Sequence, residues 1–194
     1  YPDTRRIGSV GKPGLYHNIT IRDPHGNALP QGEVGEIETV SAQHAQAYLH
    51  AGGELEPIRG GALKSGDIGY LDEDGFVIVT GRARDVIIRG GVNIAPLEID
   101  AVLTTHEAVA EAATFGVPDA VYGEEVASWV TVKPGQTLTP EDLANHCGAR
   151  LPEAKRPKHI EIVGAIPKND RGKFDRDAAR AQWEAAGLTA GENG

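Results

Sequence analysis

Apolar and polar residues alternate in short segments along the first 81 residues, and turn-forming residues separate these segments. The pattern is clearest in HNITIR (17–22), in GEVGEIETV (32–40) and in FVIVTG (76–81). Alternation with a period of two between glycine and proline residues is typical of strands in an antiparallel assembly. Residues 41–66 have no firm period, and we predict a long loop with one helical turn there. We therefore predict a β-rich piece over 1–81.

A Gly-Gly pair divides the segment that follows Arg84. In DVIIRGGVNIA (85–95), apolar runs flank Gly90 and Gly91. Paired glycines between apolar runs predict either a hairpin with a two-residue turn at positive φ, or a place where another group approaches the backbone closely. The short segment GRAR (81–84) connects this hairpin to the β-rich piece.

Helical signals appear only in the second half of the chain. Pro96 fits the first position of a helix, and Glu98 and Asp100 are carboxylates that complement the exposed N–H groups of its first turn. Further segments are predicted as strands at 109–117, 124–132 and 158–163, and as a last helix at 175–186. Together with the first 81 residues, this predicts an α+β fold, with an α+β domain over 85–187 and a frayed tail over 188–194.

A third helix is predicted from Thr139, which has the side chain of a helix cap. Pro140 fits the first helical position and Asp142 stands three residues after Thr139, as in a capping box. Leu143, Cys147 and Leu151 recur at a spacing of four residues, so Cys147 is interpreted as a small core residue. A catalytic pair of Cys147 with the adjacent histidine is disfavoured, because neighbouring helix positions point in different directions.

Composition and charge exclude several classes of protein. The 194 residues carry a formal charge of −9, which disfavours nucleic acid as a partner. The single cysteine indicates a reducing compartment, and we predict a cytoplasmic location. No apolar run reaches the roughly 20 residues of a membrane span, and no signal peptide is recognisable. The seven histidines have no metal-site spacing, so we predict no metal site.

Three clusters of polar residues remain as candidates for chemistry. In KSGDIGYLDEDG (64–75), Asp67 offers two acceptor oxygens that suit the hydroxyls of a ribose, whereas the simpler interpretation is a turn aspartate that bonds its own backbone. The arginines of GRARDVIIRGG (81–91) suit a phosphate, or else a solvated strand face. In PKNDRGKFDR (167–176), Lys173 follows a glycine on a turn-rich loop and delivers a compact positive charge, or else belongs to a charged surface turn.

Taken in order, these clusters resemble the C-terminal part of the adenylate-forming superfamily, which contains acyl-CoA synthetases, luciferases and peptide-synthetase adenylation domains. The resemblance covers essentially the whole chain, and GGVNIAPLEID is more similar to acyl- and aryl-CoA ligases than to peptide-synthetase domains. The segments that carry it are IGSVGKPG, GNALPQGEVGEIE, KSGDIGYLDEDGFVIVTGRARDVIIRGGVNIAPLEIDAVL, AVAEAATFGVPDAVYGEEVASWVTV and IPKNDRGKFDR.

The resemblance implies a domain organisation. Residues 1–81 would be the end of a β-rich, distorted barrel subdomain, and 82–84 a hinge. Residues 85–187 would form a small mixed α/β lid domain, with a β-hairpin and a three-stranded sheet flanked by helices. The family's phosphate loop and acyl pocket would lie upstream of Tyr1, so we interpret a chain without methionine as the terminal third of a longer enzyme, inactive on its own.

The resemblance also implies roles for individual residues. Asp67 would hold the ribose hydroxyls of ATP, and Arg82 would contact the ribose or the phosphates. Arg84 falls at the hinge position, and Lys173 would bridge the acyl carboxylate and the α-phosphate during adenylation. The residues implied to line the path of the pantetheine arm of CoA are Gly90, Gly91 and Asn93.

The implied reaction joins a carboxylic acid to AMP and then to CoA, with Mg²⁺ carried by the nucleotide. The remaining N-terminal part of the same enzyme would be the partner of this chain. Two alternatives remain open: a stand-alone adenylation domain that loads a carrier-protein thiol, and a non-catalytic binding module that kept the lid fold.

Overall fold

The computed structural model describes residues 6–58 and 62–187, and its chain divides into two compact units, Tyr1–Arg84 and Asp85–Gly194. The predicted tail over 188–194 lies outside the described residues.

Over residues 6–58 and 62–84, the first unit has six strands. They are β1 (His17–Arg22), β2 (Gly35–Ser41), β3 (Ala47–Leu49), β4 (Leu55–Pro57), β5 (Ala62–Leu71) and β6 (Val77–Arg82). Four of them form an antiparallel sheet in the order β1-β2-β5-β6, and β3 pairs with β4 alone. Ile21, Ile37 and Val77 are the buried core. Over the described residues the sheet stays open, so these strands form no closed barrel.

The long loop predicted over 41–66 is wrong in part. β3 and β4 form a hairpin there, and β5 begins at Ala62, before Gly66. A glycine within β5 made this strand look like a loop in the sequence. The structure explains the glycine, because the pairing of β2 with β5 shifts between Glu36 and Glu38. Gly66, at a φ of 71°, belongs to this irregularity. The segment is thus a bulged strand, and bulges re-aim the side chains beside them.

The described part of the second unit, 85–187, contains five strands and three α-helices. They are β7 (Ile87–Arg89), β8 (Val92–Ile94), α1 (Pro96–Thr104), β9 (Val109–Asp119), β10 (Gly123–Val132), α2 (Pro140–Gly148), β11 (His159–Ile162) and α3 (Arg176–Ala185). β10 pairs antiparallel with β9 and parallel with β11. The hairpin β7-β8 joins the start of β10 through Arg89 and Gly123. This confirms the predicted hairpin and three-stranded sheet with flanking helices.

Helices cover both faces of the three-stranded sheet. Val126 and Val130 of β10 pack in one cluster with residues of α1 and α2, while Ala127 and Trp129 pack with residues of α3. Because successive side chains of a strand point to opposite faces, β10 is buried on both sides. This burial explains the near-continuous apolar run in its sequence.

The predicted cap of α2 is confirmed. Thr139 accepts a hydrogen bond from the Asp142 N–H, and the Asp142 carboxylate accepts one from the Thr139 N–H. Cys147 is buried among the core residues of the second unit, as the sequence predicted. Burial raises the pKa of its thiol.

Candidate functional site

Asp67 and Arg82 lie opposite each other on β5 and β6. Oδ1 of Asp67 is 2.9 Å from Nε of Arg82, and the two side chains are 31% and 55% exposed. The Ser65 hydroxyl accepts a hydrogen bond from the Asp67 N–H and donates one to the Ile37 carbonyl. The hydrogen bonds of Ser65 therefore stabilise the bulge of β5. Beside this bulge, the carboxylate of Asp67 on β5 and the guanidinium of Arg82 on β6 lie side by side at the surface.

Gly90 and Gly91 form the turn between β7 and β8. Both have positive φ, at 55° and 85°, and Arg89 pairs with Val92 across the turn, which confirms the predicted two-residue turn. The Gly90 N–H donates to the Tyr122 carbonyl at 2.9 Å. A Cβ at Gly90 would lie 3.1 Å from the Tyr122 ring, so the second expectation, a close approach to the backbone, also holds at this position.

A cavity of about 420 Å³ opens beside this turn. Its lining residues are Arg89, Gly90, Val92, Tyr122, Glu153 and Ala154. The Arg89 guanidinium lies 5.1 Å from the centre of the Tyr122 ring and donates to the Ala154 carbonyl at 3.1 Å. The wall of the cavity is thus formed by an arginine stacked on an aromatic ring, next to an exposed glycine backbone.

The Arg89 side chain is anchored from inside the unit. Its Nε lies 2.8 Å from Oε1 of Glu125, whose side chain is completely buried. The contact is ionic rather than an aligned hydrogen bond, because Arg89 Nε has no aligned acceptor among the described residues. A buried carboxylate is costly unless a cation accompanies it, so Arg89 is held in this position. The sequence signal for Glu125 was a charged residue at the start of an apolar strand.

Asn93 and Arg84 occupy exposed positions. Asn93 lies on β8 opposite Ile88, two residues after the glycine turn. Arg84 is the last residue of the first unit and lies in a short 3-10 turn, Ala83–Asp85.

Lys173 lies on a loop that Asn169 organises. The side-chain oxygen of Asn169 accepts hydrogen bonds from the backbone N–H groups of Arg171 and Lys173, and the backbone N–H of Asn169 donates to the Lys173 carbonyl at 2.8 Å. Gly172 has a φ of 72°, which allows the chain to reverse between them. The backbone of Lys173 is therefore fixed while its side chain is exposed to solvent. Over the described residues, no ion pair engages its ammonium group.

The glycine turn and the Lys173 loop lie at opposite ends of the β9-β10 pair. Arg89 pairs with Gly123 at the start of β10. Lys168, which bridges to Phe174 at the base of the loop, binds Glu111 at 2.6 Å, and Glu111 pairs with Thr131 near the end of β10. Eight residue steps separate Gly123 from Thr131. At roughly 3.3 Å per residue this separation is about 26 Å.

The structure thus brings together Asp67 with Arg82 in the first unit, and Gly90 and Gly91 in the second. It separates the glycine turn from Lys173. Sequence reasoning missed Tyr122 and the anchor Glu125. In the stretches 6–58 and 62–187, no group of three or more His, Cys, Asp or Glu side chains is arranged to hold a metal ion. None of the helices in those stretches is long and apolar enough to cross a membrane.

His146 and Cys147 do not form a reactive pair. Nε2 of His146 contacts the Thr105 hydroxyl at 2.9 Å and the Val102 carbonyl at 3.1 Å, while Cys147 points into the core. Burial is the main cause that lowers the pKa of His146.

Comparison with known proteins gives one consistent family. Residues 98–173 match the AMP-binding enzyme C-terminal domain. The chain is 41% identical over 172 residues to the 2-succinylbenzoate–CoA ligase of Geobacillus sp. (strain WCH70), a match that covers 88% of this chain and 35% of that protein. The chain spans about a third of the length of the curated relatives it matches.

Solved structures agree with the sequence relatives. ATP-bound MatB from Rhodopseudomonas palustris superposes with a TM-score of 0.85 at 30% identity, over 95% of this chain and 37% of that one. The amide bond synthetase McbA from Marinactinospora thermotolerans superposes with a TM-score of 0.82 at 34% identity, over 91% of this chain and 36% of that one.

The chain therefore contains, over residues 98–173, the C-terminal domain of AMP-binding enzymes, and as a whole it is similar to the C-terminal part of the adenylate-forming enzymes. Several sequence relatives that match most of the chain are named as CoA ligases.

Proposed function

We propose that this chain is the C-terminal part of an AMP-forming acyl-CoA ligase. The enzyme would join a carboxylic acid to AMP with release of pyrophosphate, and would then transfer the acyl group to the thiol of CoA. The observation that carries the proposal is the placement of two different chemical features at opposite ends of one strand pair: an exposed lysine on a fixed loop, and a glycine turn beside a cavity.

Lys173 would act in the first half-reaction. Attack of a carboxylate on the α-phosphate brings two anions together, and a cation placed between them stabilises the transition state more than the separated reactants. A lysine on a loop with a fixed backbone and an exposed side chain suits this role. Its ammonium is not neutralised by a neighbour over the described residues, so its charge is available to an incoming anion.

Asp67 and Arg82 would bind the nucleotide. The Asp67 carboxylate keeps acceptor capacity beyond its contact with Arg82, and ribose hydroxyls are donors that suit it. Arg82 would contact the ribose or the phosphates from the neighbouring strand. Any Mg²⁺ would arrive with the phosphates of ATP, where it would neutralise their charge.

Gly90, Gly91 and Asn93 would serve the second half-reaction. Because glycine has no side chain, both residues expose their backbone beside the cavity, and a pantetheine arm could pass close to that backbone. About 26 Å of strand separates this turn from the base of the Lys173 loop, so one centre cannot use both at once. A rotation about Arg84 would exchange them, as hinge-type switches do at short interdomain segments.

The test is to separate the two half-reactions in the full-length protein. Lys173→Ala should lower the rate of acid-dependent ATP–pyrophosphate exchange at least a hundredfold, because the variant lacks the cation that stabilises the transition state. The same variant should form thioester from a preformed acyl-adenylate at the wild-type rate. Lys168→Ala is the matched control, since it removes a lysine of the same loop that already pairs with Glu111. Equal loss of both half-reactions in Lys173→Ala would contradict the assigned role.

A second acceptor class has support from one relative. The similarity to an enzyme named as an amide bond synthetase favours an amine acceptor as the alternative to a thiol. Incubation of the full-length protein with the preformed adenylate and either CoA, a phosphopantetheinylated carrier protein or a primary amine distinguishes the three. A non-catalytic module would give no pyrophosphate exchange with any acid. The cytoplasmic location stays a prediction from the single cysteine.

A further inference from the structure

Arg176 follows Lys173 by three residues and is held by contacts from three parts of the second unit. Its Nε donates to the Thr114 carbonyl on β9 at 2.9 Å, and its Nη2 donates to Oδ2 of Asp100 on α1 at 2.7 Å. Its Nη1 lies 3.6 Å from Oδ2 of Asp85. Two nitrogens of the guanidinium therefore donate hydrogen bonds, and the third makes an ionic contact with Asp85.

This cluster is mostly shielded from solvent and differs in that respect from an exposed surface ion pair. The side chains of Arg176, Asp85 and Asp100 are 16%, 16% and 13% exposed. The other oxygen of Asp100 accepts a hydrogen bond from the Thr114 N–H at 2.6 Å. Salt screens such a cluster little, and the planar fork of an arginine fixes its geometry. The ammonium of a lysine could not make all of these contacts from one position.

The cluster holds the end of the Lys173 loop. Phe174 bridges to Lys168 and packs its ring 4.9 Å from the Arg176 guanidinium. Asp175 caps α3 by accepting from the Ala178 N–H, and its own N–H donates to the Pro167 carbonyl at 3.0 Å. Phe174 and Asp175, the two residues between Lys173 and α3, are therefore both fixed by contacts within the second unit. Arg176, the first residue of α3, adds the contact with Asp85.

Asp85 directly follows Arg84, the proposed pivot. We propose that Arg176 is a positioning residue for Lys173, which it links rigidly to the pivot segment through Asp85, so that rotation about Arg84 carries the Lys173 ammonium to a defined place. This inference rests on the proposed function and deepens it. A lysine that must meet two anions tolerates little displacement, because a shift of roughly 1 Å costs up to about a hundredfold in rate.

The experiment uses the full-length protein and compares Arg176→Lys with wild type. The first half-reaction is measured as ATP–pyrophosphate exchange with acetate, octanoate, benzoate and malonate, and the second as thioester formation from the preformed adenylate of the acid that is used. Arg176→Lys should lower kcat of exchange roughly tenfold with KM for ATP unchanged. Thioester formation should stay within about twofold of wild type, since the glycine turn lies at the other end of the strand pair.

Glu111→Gln is the matched control, because it removes an ion pair of the same loop that is half exposed. It should change neither half-reaction, as exposed pairs contribute little. Asp85→Asn tests the same link without leaving the buried Asp100 unpaired. It should slow exchange less than Arg176→Lys, and the double variant should be no slower than Arg176→Lys alone, because both changes break one connection.

Three outcomes would overturn the inference. Unchanged exchange in Arg176→Lys would exclude a positioning role, and an equal loss of both half-reactions would indicate a purely structural one. Additive losses in the double variant would show that Asp85 and Arg176 act separately. Absence of acid-dependent exchange in the wild-type protein would instead reject the proposed function, and this inference with it.

Discussion

Gly69 on β5 passes so close to the carbonyl of Ile78 on β6 that no side chain fits between them. A Cβ at Gly69 would lie well inside contact distance of that oxygen and 2.9 Å from Cδ1 of Ile37. The pairing of β5 with β6 also shifts between Ile68 and Gly69. The glycine thus allows the strand that carries Asp67 to pack against its neighbour.

Replacing Gly69 with alanine should destabilise the first unit. The added methyl group must push apart two backbone segments, so the free energy of unfolding should fall by about 2 kcal/mol. Urea unfolding of the 194-residue chain measures the change. Gly52→Ala is the matched control, because a Cβ there meets no atom within 4 Å. Equal stability of the two variants would contradict the close approach.

Asp67→Asn should weaken recognition of the ribose. Asparagine offers one acceptor oxygen where the carboxylate offers two, and a hydrogen bond to a charged group contributes about 1.5–3 kcal/mol. In the full-length protein, KM for ATP in pyrophosphate exchange should rise roughly tenfold, and the preference for ATP over 2′-deoxy-ATP should shrink. Asp74→Asn, a change at a turn carboxylate of the same unit, should leave both values unchanged. A retained preference in Asp67→Asn would assign the ribose to another residue.

Gly91→Ala should slow thioester formation and spare adenylation. Gly91 has a φ of 85° and no atom within 4 Å of the position of a Cβ, so an alanine there projects into open space beside the cavity. The matched control is Gly135→Ala, since Gly135 has a φ of 80° and equally open surroundings elsewhere in the unit. Both variants carry similar backbone strain, of about 1 kcal/mol. If both slow thioester formation equally, strain rather than obstruction is the cause.

The stability of the second unit should depend on pH through Asp100. Burial raises the pKa of Asp100 from 3.8 to about 6, although Arg176 and the hydrogen bonds from Thr114 act in the opposite direction. The folded state therefore binds the proton more tightly than the unfolded state. The contribution of Asp100 to stability is fully present below pH 3.8 and is lost as the pH rises to about 6.

This dependence is measured against Asp100→Asn, which does not titrate. The free energy of unfolding of the wild-type chain minus that of the variant should fall by up to about 3 kcal/mol between pH 3.8 and pH 6, and stay constant above. A difference that rises with pH would mean that the ion pair with Arg176 outweighs burial.

The local parts of this fold were predictable from the sequence. The alternation in HNITIR gave β1 at its observed bounds, and Thr139, Pro140 and Asp142 gave the start of α2. Paired glycines between apolar runs gave the hairpin turn. Each of these features depends on residues within a few positions of one another, so short patterns contain the necessary information.

The errors arose where distant residues decide the structure. The strands β3, β4 and the first half of β5 were predicted as loop, because β3 and β4 have only three residues each and Gly66 in the bulge of β5 looks like a turn residue. Asp100 was interpreted as a first-turn carboxylate of α1, but it is bound by Arg176, 76 positions away along the chain. The candidate residues Asp67 and Arg82 were chosen through the family resemblance, which implied no role for Tyr122 or Glu125.

The β9-β10 pair also has a consequence for the speed of the proposed enzyme. Because the two ends of this strand pair lie about 26 Å apart, no change of rotamer or loop conformation would exchange them, and in the proposed enzyme the whole second unit would have to rotate in every catalytic cycle. The rate of that rotation would then set an upper limit on the turnover of every acid that the enzyme accepts.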